Sequence, residues 1–370
     1  MATFITSKAV GQTIRPNIGT STGFWKYNHD GSDSSVIDQN NGTTTTVTNA
    51  NGEFTIISCL SDGTVSGDVT SLTLKGNQIT SFDGTGLSSL TSLYLGDNLL
   101  TSFDGTGLSS LTHLGLAVNQ FTSFDGTGLS SLTHLELNGN QFTSLDGFIF
   151  PTSLTTLYLN GNQLTSFDGT DLTSLTGLYL NNNQFTSFDG TGLSSLTYLN
   201  LGHNQITSLD GFIFPTSLTQ LNLGHNQITS IDGFIFPTSL TILSLGDNQI
   251  TSFDGTGLTS LFQLMLVSNL LTSLDVSTMT SLQYLYLGDP YGTGGNPMTP
   301  ESNNSILSQL NTNGVSSGYF GSINSRTSAG TADYDALVGK GWNLSGLDLV
   351  TPPVGNGKLR VKGVNSGGAV

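Results

Sequence analysis

Three kinds of side chain recur in this sequence at spacings that could support chemistry: aspartate, histidine and tyrosine. Asp83, Asp104, Asp125, Asp146, Asp168, Asp189, Asp210, Asp232, Asp254 and Asp275 return every 21 or 22 residues and make up ten of the 25 acidic residues. Such a row could hold calcium, with Asp83, Asp104 and Asp125 as the first candidates. Calcium takes six to eight oxygens, and one Asp per turn with Thr and Ser beside it is a thin supply. The row therefore reads first as turn chemistry, each carboxylate accepting N–H bonds from the residues just after it. No metal or other cofactor is expected. His113 and His134 lie 21 residues apart with Glu136 two residues on, and His203 and His225 repeat after 22. Imidazole suits transition metals, but no third histidine stands at a matching position.

Catalysis finds little material. Cys59 is the only cysteine and has no histidine partner in the pattern, and no nucleophile elbow or phosphate loop is present. Matches such as Gly84-Thr85-Gly86 recur with the aspartates and belong to turns. Asp97, Glu136 and Asp247 stand alone, without the paired carboxylates of a glycosidase. The sequence predicts a protein that is not an enzyme.

Charge narrows the partners. Nine Lys+Arg against 25 Asp+Glu leave a formal charge of −16, and no Lys or Arg occurs among the 250 residues from Gly76 to Ser325. Binding nucleic acid requires cations that displace counterions from phosphates, and docking on anionic lipid requires them too; both are disfavoured. One cysteine allows no intrachain disulfide. No apolar run reaches the ~18 residues of a membrane span, and the N-terminal residues lack the apolar core of a secretory signal.

The elements that must position these residues are set by a repeat. Asn77, Asn98, Asn119, Asn140, Asn162, Asn183, Asn204, Asn226, Asn248 and Asn269 follow successive L-x-L segments at spacings of 21 or 22. A degenerate eleventh unit, LQYLYLGDP, places Pro290 where the Asn would fall. L-x-L is strand alternation, Leu inward and the intervening residue outward. About 12 residues remain for the return, too few for a full helix with its turns, so the return leg is extended or 3₁₀. Stacked strands form a parallel sheet about 4.8 Å apart, and the Asn residues form a buried ladder satisfying backbone groups in the bends. The Thr-Ser pair before each apolar-Asp step reads as a hydroxyl ladder. Three units carry an F-I-F-P insert at Phe148–Pro151, Phe212–Pro215 and Phe234–Pro237. If one Phe per insert points outward, Phe212 and Phe234 make an apolar contact patch.

The L-x-x-L-x-L-x-x-N-x-φ unit at this period resembles the leucine-rich repeat family, closest to its short bacterial and internalin-like classes, over about 60% of the chain, Val69 to Leu287. The resemblance implies a solenoid with its parallel sheet on the concave face. The expected organisation is a β-rich cap or attachment domain at 1–66, a solenoid of ten to eleven repeats at 67–290, an α/β cap at 291–350 and a tail or tether at 351–370. The strands of the first cap are TIRPNI, TGFWKYN, TTTTVT and EFTIIS, with Trp25 and Cys59 in its core. ILSQLNTNG and TADYDALVGKG read as short helices ending at Gly, and GWNLSGLDLV as a closing strand. That closing segment is similar to those ending many bacterial surface proteins of the family.

The resemblance also implies that the outward sheet positions form a binding surface. These are the positions that vary most from unit to unit: Tyr94, His113, His134, Glu136, Tyr158, Tyr179, Tyr198, Asn200, Gln220, Asn222, Gln263, Tyr284 and Tyr286. Rings with a polar tip beside amides suit glycans or polar protein surfaces. The expected function is recognition or adhesion toward a host glycan or protein. The charge-poor, trypsin-resistant surface with no signal peptide points to an exposed virion component, a phage host-recognition or decoration protein attached through its caps. The alternatives are a structural virion or surface spacer without a ligand and an intracellular, cytoplasmic leucine-rich repeat scaffold. Homo-oligomerisation is left open.

Overall fold

The structure is a computed structural model of the 370-residue chain. It describes residues 70–349 other than 85–86, 289–294 and 323, together with the backbone of strands at 2–6, 13–14, 17–19, 24–28, 34–37, 45–46 and 53–59. Pro290, the tail at 351–370 and the side chains of Trp25 and Cys59 lie outside the described residues. The chain divides into two compact units, Met1–Gln249 and Ile250–Val370.

In the first unit the early strands are β1 (Ala2–Thr6), β2 (Thr13–Ile14), β3 (Asn17–Gly19), β4 (Phe24–Asn28), β5 (Ser34–Ile37), β6 (Thr45–Thr46) and β7 (Glu53–Cys59). They precede β8 (Ser71–Thr73) and β9 (Ile79–Asp83), the strand and return leg of the first repeat. β5, β4, β7, β1 and β9 form one antiparallel sheet, in that order. β3 pairs antiparallel with β8. The first repeat is therefore covered twice, along its strand and along its return leg. An open parallel edge presents unpaired backbone groups that invite other chains, and these two pairings fill it.

The repeats follow as three-residue strands: β10 (Ser92–Tyr94), β11 (His113–Gly115), β12 (His134–Glu136), β13 (Thr156–Tyr158), β14 (Gly177–Tyr179), β15 (Tyr198–Asn200), β16 (Gln220–Asn222) and β17 (Ile242–Ser244). From β8 to β17 they pair in parallel and in register, Leu on Leu at every step, as in Leu93↔Leu114 and Leu157↔Leu178. Those central leucines are buried, while their flanking positions are half-buried except at the buried Gly115 and Gly177. Burial of one such side chain contributes roughly 1.5–3 kcal/mol, and no repeat could achieve it alone.

The asparagines are buried and fully engaged. Asn140 is typical: its Oδ1 accepts from Phe121 N–H at 3.1 Å, and its Nδ2 donates to the carbonyls of Leu116 and Leu137 at 3.1 and 3.0 Å. Each such amide joins its own repeat to the one before. The residue ahead of each ladder Asn is left-handed throughout, including Asp97, Val118, Asn182, His203, His225 and Asp247 at φ between 54° and 56°. Gly, Asn, Asp and His tolerate that conformation; Val118 does not, and it alone among these six is β-branched.

A hydroxyl ladder joins successive repeats at a further set of threonines. It runs along the Thr ahead of each strand, Thr112 Oγ1 donating to Thr91 O at 2.9 Å and Thr176 Oγ1 to Thr155 O at 3.0 Å. Of the Thr-Ser pairs, Ser144, Ser208 and Ser230 instead accept from the N–H of Asp146, Asp210 and Asp232.

In the second unit, β18 (Gln263–Met265), β19 (Tyr284–Tyr286), β20 (Gly318–Gly321) and β21 (Trp342–Ser345) are all parallel. Helix α1 (Pro300–Asn313) links β19 to β20, and α2 (Thr331–Gly339) links β20 to β21. Thr299 caps α1 by accepting from Ser302 N–H, Pro300 stands in its first turn, and Gly314 ends it at φ 77°. The two helices match the sequence reading, and β20 was not anticipated. GYFG is too short and glycine-rich to announce a strand, and its neighbours decide it. Asn296 corrects the ladder's expected end. Buried completely, it accepts from Leu271 N–H at 3.0 Å and donates to Leu266 and Leu287 O at 2.7 and 2.8 Å. It thus occupies the place that the spacing assigned to Pro290. No helix among the described residues is long and apolar enough to cross a membrane.

Candidate functional site

Three-residue strands place their first and third side chains on the outer sheet face, so the first unit carries two parallel columns. One runs Tyr94, Gly115, Glu136, Tyr158, Tyr179, Asn200 and Asn222; the other runs Ser92, His113, His134, Thr156, Gly177, Tyr198 and Gln220. Tyr158 and Tyr179 stack at 4.2 Å between centroids, and Tyr198 leans across to Tyr179 at 4.7 Å. Tyr198 belongs to the neighbouring column, where its register partner is Gly177. Without a side chain there, the ring has room to tilt over. The result is a row of three rings that crosses columns, which neither column shows in the sequence. Burial raises the pKa of Tyr158 and Tyr198, assisted by the neighbouring phenol of Tyr179, so these hydroxyls remain donors in neutral solution.

Further along, Asn200 and Asn222 are partly committed to structure. Their Oδ1 atoms accept from Gly202 and Gly224 N–H at 3.0 and 2.9 Å. In the second unit, Tyr286 stacks on Tyr319 at 4.8 Å and Tyr284 packs on Phe262 at 5.1 Å, with half-buried Gln263 on the preceding strand. Burial, then Tyr319, raises the Tyr286 pKa.

At the other end of the first unit, His113 and His134 stack at 4.4 Å with planes 10° apart. Their Nδ1 atoms sit 2.9 Å from Thr112 and Thr133 Oγ1. Burial and the neighbouring His113 lower the pKa of His134. A shallow hollow of about 70 Å³ lies here, lined by Tyr94, His113, Leu114, His134, Glu136 and Tyr158. Gly115 lines the adjoining hollow and lets the Tyr94 ring lie against it: a Cβ there would come within 2.7 Å of Tyr94 Cδ1 and 3.3 Å of Glu136 Oε2. His203 and His225 stack at 4.0 Å in the left-handed bends after the strands, with His225 Nε2 3.4 Å from Asp247 Oδ2.

The aspartates divide into kinds. Asp104, Asp125, Asp168, Asp189, Asp254 and Asp275 each accept the N–H of the residue two ahead, as Asp168 does from Thr170 at 3.0 Å. Hydroxyl and then amide bonds from that residue lower their pKa values. Asp146, Asp210 and Asp232, in the insert units, use their N–H groups instead, while Asp83 lies in β9. Among the described residues, no three His, Cys, Asp or Glu side chains are grouped to hold a metal ion.

The inserts present isoleucine outward, not phenylalanine. Phe212 is buried and Phe234 half-buried against Phe214 and Phe236, whereas Ile213 and Ile235 are 51% and 83% exposed. Ring-on-ring packing inside the turn consumes the aromatics. On this return side a cleft of about 450 Å³ opens between the first insert and the next repeat, lined by residues including Phe148, Ile149, Asp146, Asp168 and Asp171. The Ile149 carbonyl accepts from Gly126 N–H in the preceding repeat at 2.9 Å. The insert bonds backward, and the gap lies on its forward side.

Comparison with known proteins follows this geometry. Models described as leucine-rich repeats match residues 152–195, 173–214, 194–236 and 216–271. No curated protein sequence matches significantly. Among solved structures, the internalin inlF of Listeria monocytogenes is 23% identical with TM-score 0.52, covering 76% of this chain and 86% of that one. The leucine-rich repeat domain of APL1B is 17% identical with TM-score 0.54, covering 79% and 90%. A leucine-rich repeat protein of Leptospira interrogans is 26% identical with TM-score 0.46, covering 61% and 72%. The matched repeats and the stacked Leu–Asn units agree: residues 152–271 are leucine-rich repeats, and the fold is similar to that of the internalin.

Proposed function

We propose that this protein is a non-enzymatic recognition module that binds a protein or glycan partner through the outer sheet face, displayed on an exposed surface of a cell or virion. The observation that carries the reading is the row Tyr158–Tyr179–Tyr198, half-buried on outward positions at ring separations of 4.2 and 4.7 Å. Ordered amphipathic rings give contact area at little entropic cost and keep a hydroxyl for edge hydrogen bonds. The stretch without Lys or Arg, Gly76 to Ser325, supports exposure to proteolytic surroundings, because trypsin finds no site in it.

The test is a binding screen of the purified chain against glycans and candidate partner proteins, with calcium and with chelator. Saturable binding that is lost in the Tyr158→Ala/Tyr179→Ala variant, whose fold is checked by circular dichroism, is the expected result. Absence of binding in both conditions would overturn the reading and favour a spacer role. Binding lost only with chelator would move the site to the aspartates.

A further inference from the structure

We propose that the hollow lined by His113, His134 and Glu136 is a receptor for an arginine side chain of a protein partner. This deepens, and rests on, the reading of the sheet face as a recognition surface. The first observation is the hydrogen-bond arithmetic of the histidine pair. Thr112 Oγ1 donates its single hydrogen to Thr91 O at 2.9 Å, and Thr133 Oγ1 donates its own to Thr112 O at 3.1 Å. Neither hydroxyl has a second hydrogen to give. With those hydrogens on the carbonyls, the 2.9 Å contacts to His113 and His134 Nδ1 are made by Nδ1–H donating to the hydroxyl oxygen. Both imidazoles are held as the Nδ1–H tautomer, and Nε2 on the opposite edge of each ring is left a lone-pair acceptor.

The hollow thus combines two imidazole acceptors with the Glu136 carboxylate. No cation among the described residues pairs with Glu136, and Lys75, which lines the adjoining hollow, is engaged by Asp97 at 3.1 Å. Tyr94 and Tyr158 flank Glu136 on its own column, and Gly115 lets the Tyr94 ring lie over the strand toward Glu136. A carboxylate and imidazole edges beside aromatic faces, with no cation among them, complement a planar group that carries donors and positive charge. Guanidinium meets each requirement: it binds a carboxylate with two parallel bonds and stacks on tyrosine. The formal charge of −16 favours approach of a basic partner over the whole surface. A shared metal fits less well, because imidazoles stacked 10° from parallel at 4.4 Å aim their lone pairs side by side instead of at one point.

The test uses the full chain labelled with ¹³C at histidine and titrated with N-acetyl-arginine amide, followed by the ring signals in NMR. N-acetyl-citrulline amide, neutral and of similar shape, is the control. Saturable shifts at His113 and His134 but not at His203 and His225 are expected, with no response to citrulline and about tenfold weaker arginine binding in Glu136→Gln. No saturable shift, an equal response to citrulline, or undiminished binding in Glu136→Gln would overturn the proposal. The two readings fail separately. Partner capture that depends on Tyr158 and Tyr179, with no arginine response, removes the pocket and leaves the recognition face standing. Loss of both removes both.

Discussion

Single residues in this protein carry conflicts that the repeat imposes on them. Val118 occupies a bend position at φ 54° and is 50% exposed, so it gains little burial in return. A left-handed conformation costs a side chain with a Cβ roughly 1–2 kcal/mol. Val118→Asn is expected to raise stability by about 1 kcal/mol, because Asn tolerates this region; denaturant titration measures it, and a destabilised variant would contradict the strain argument. The turn aspartates carry a pH signature. Thr170 and Thr191 bonds hold Asp168 and Asp189 below the usual 3.8, so the folded state binds these protons less tightly than the unfolded chain. Their stabilisation is complete above the unfolded value and fades as pH falls through the lowered folded one. Asp168→Asn with Asp189→Asn should therefore flatten the loss of melting temperature between about pH 5 and pH 2. A slope as steep as that of the parent would show that these turns do not sense acid.

Elements here are too short to stand alone. Strands of three residues and bends in left-handed conformation hold only because an amide from the next repeat closes them. Asn162 illustrates the dependence, accepting from Phe142 N–H at 3.2 Å and donating to Leu137 and Leu159 O at 3.2 and 2.9 Å. Asn162→Ala leaves Phe142 N–H without its acceptor and removes one of two amide donors from Leu137 O and Leu159 O, which keep Asn140 and Asn183 Nδ2; it is expected to cost about 2 kcal/mol. Chemical denaturation monitored by circular dichroism reads that loss, and a change below roughly 0.5 kcal/mol would mean that water replaces the amide fully. In the second unit helices α1 and α2 replace extended return legs between β19, β20 and β21, keeping the strands parallel. Gly314 stops the first helix, so the chain can re-enter the sheet.

At the scale of the molecule, an array of identical interfaces has no natural end. β1 and β3 supply one at the first repeat by pairing with β9 and β8. Removing residues 1–19 should expose both edges, lowering the melting temperature and shifting the elution of the protein toward larger species than the intact chain. Unchanged melting and elution would mean that these strands do not protect the edges. Charge works at this scale too. With no Lys or Arg from Gly76 to Ser325, no lysine or arginine over that stretch repels a basic partner.

Much of the solenoid was legible because its cause is periodic. Leu at alternate positions, Asn after each strand and a return of about 12 residues permit few arrangements, and every one of them is a parallel stack. The Tyr158–Tyr179 pair was visible as neighbours in one column. What the period does not carry had to come from three dimensions. Tyr198 joins the row because Gly177 yields space one strand away. Asn296 takes the ladder place of Pro290 because hydrogen bonding follows proximity, not spacing along the chain. The tautomer of His113 and His134 depends on where a threonine hydroxyl spends its one hydrogen, which is a fact about the preceding repeat. Residue order alone determined the stack and its outward columns; contacts between repeats decided which outward side chains meet, since one repeat's side chain fills or leaves open the space beside another.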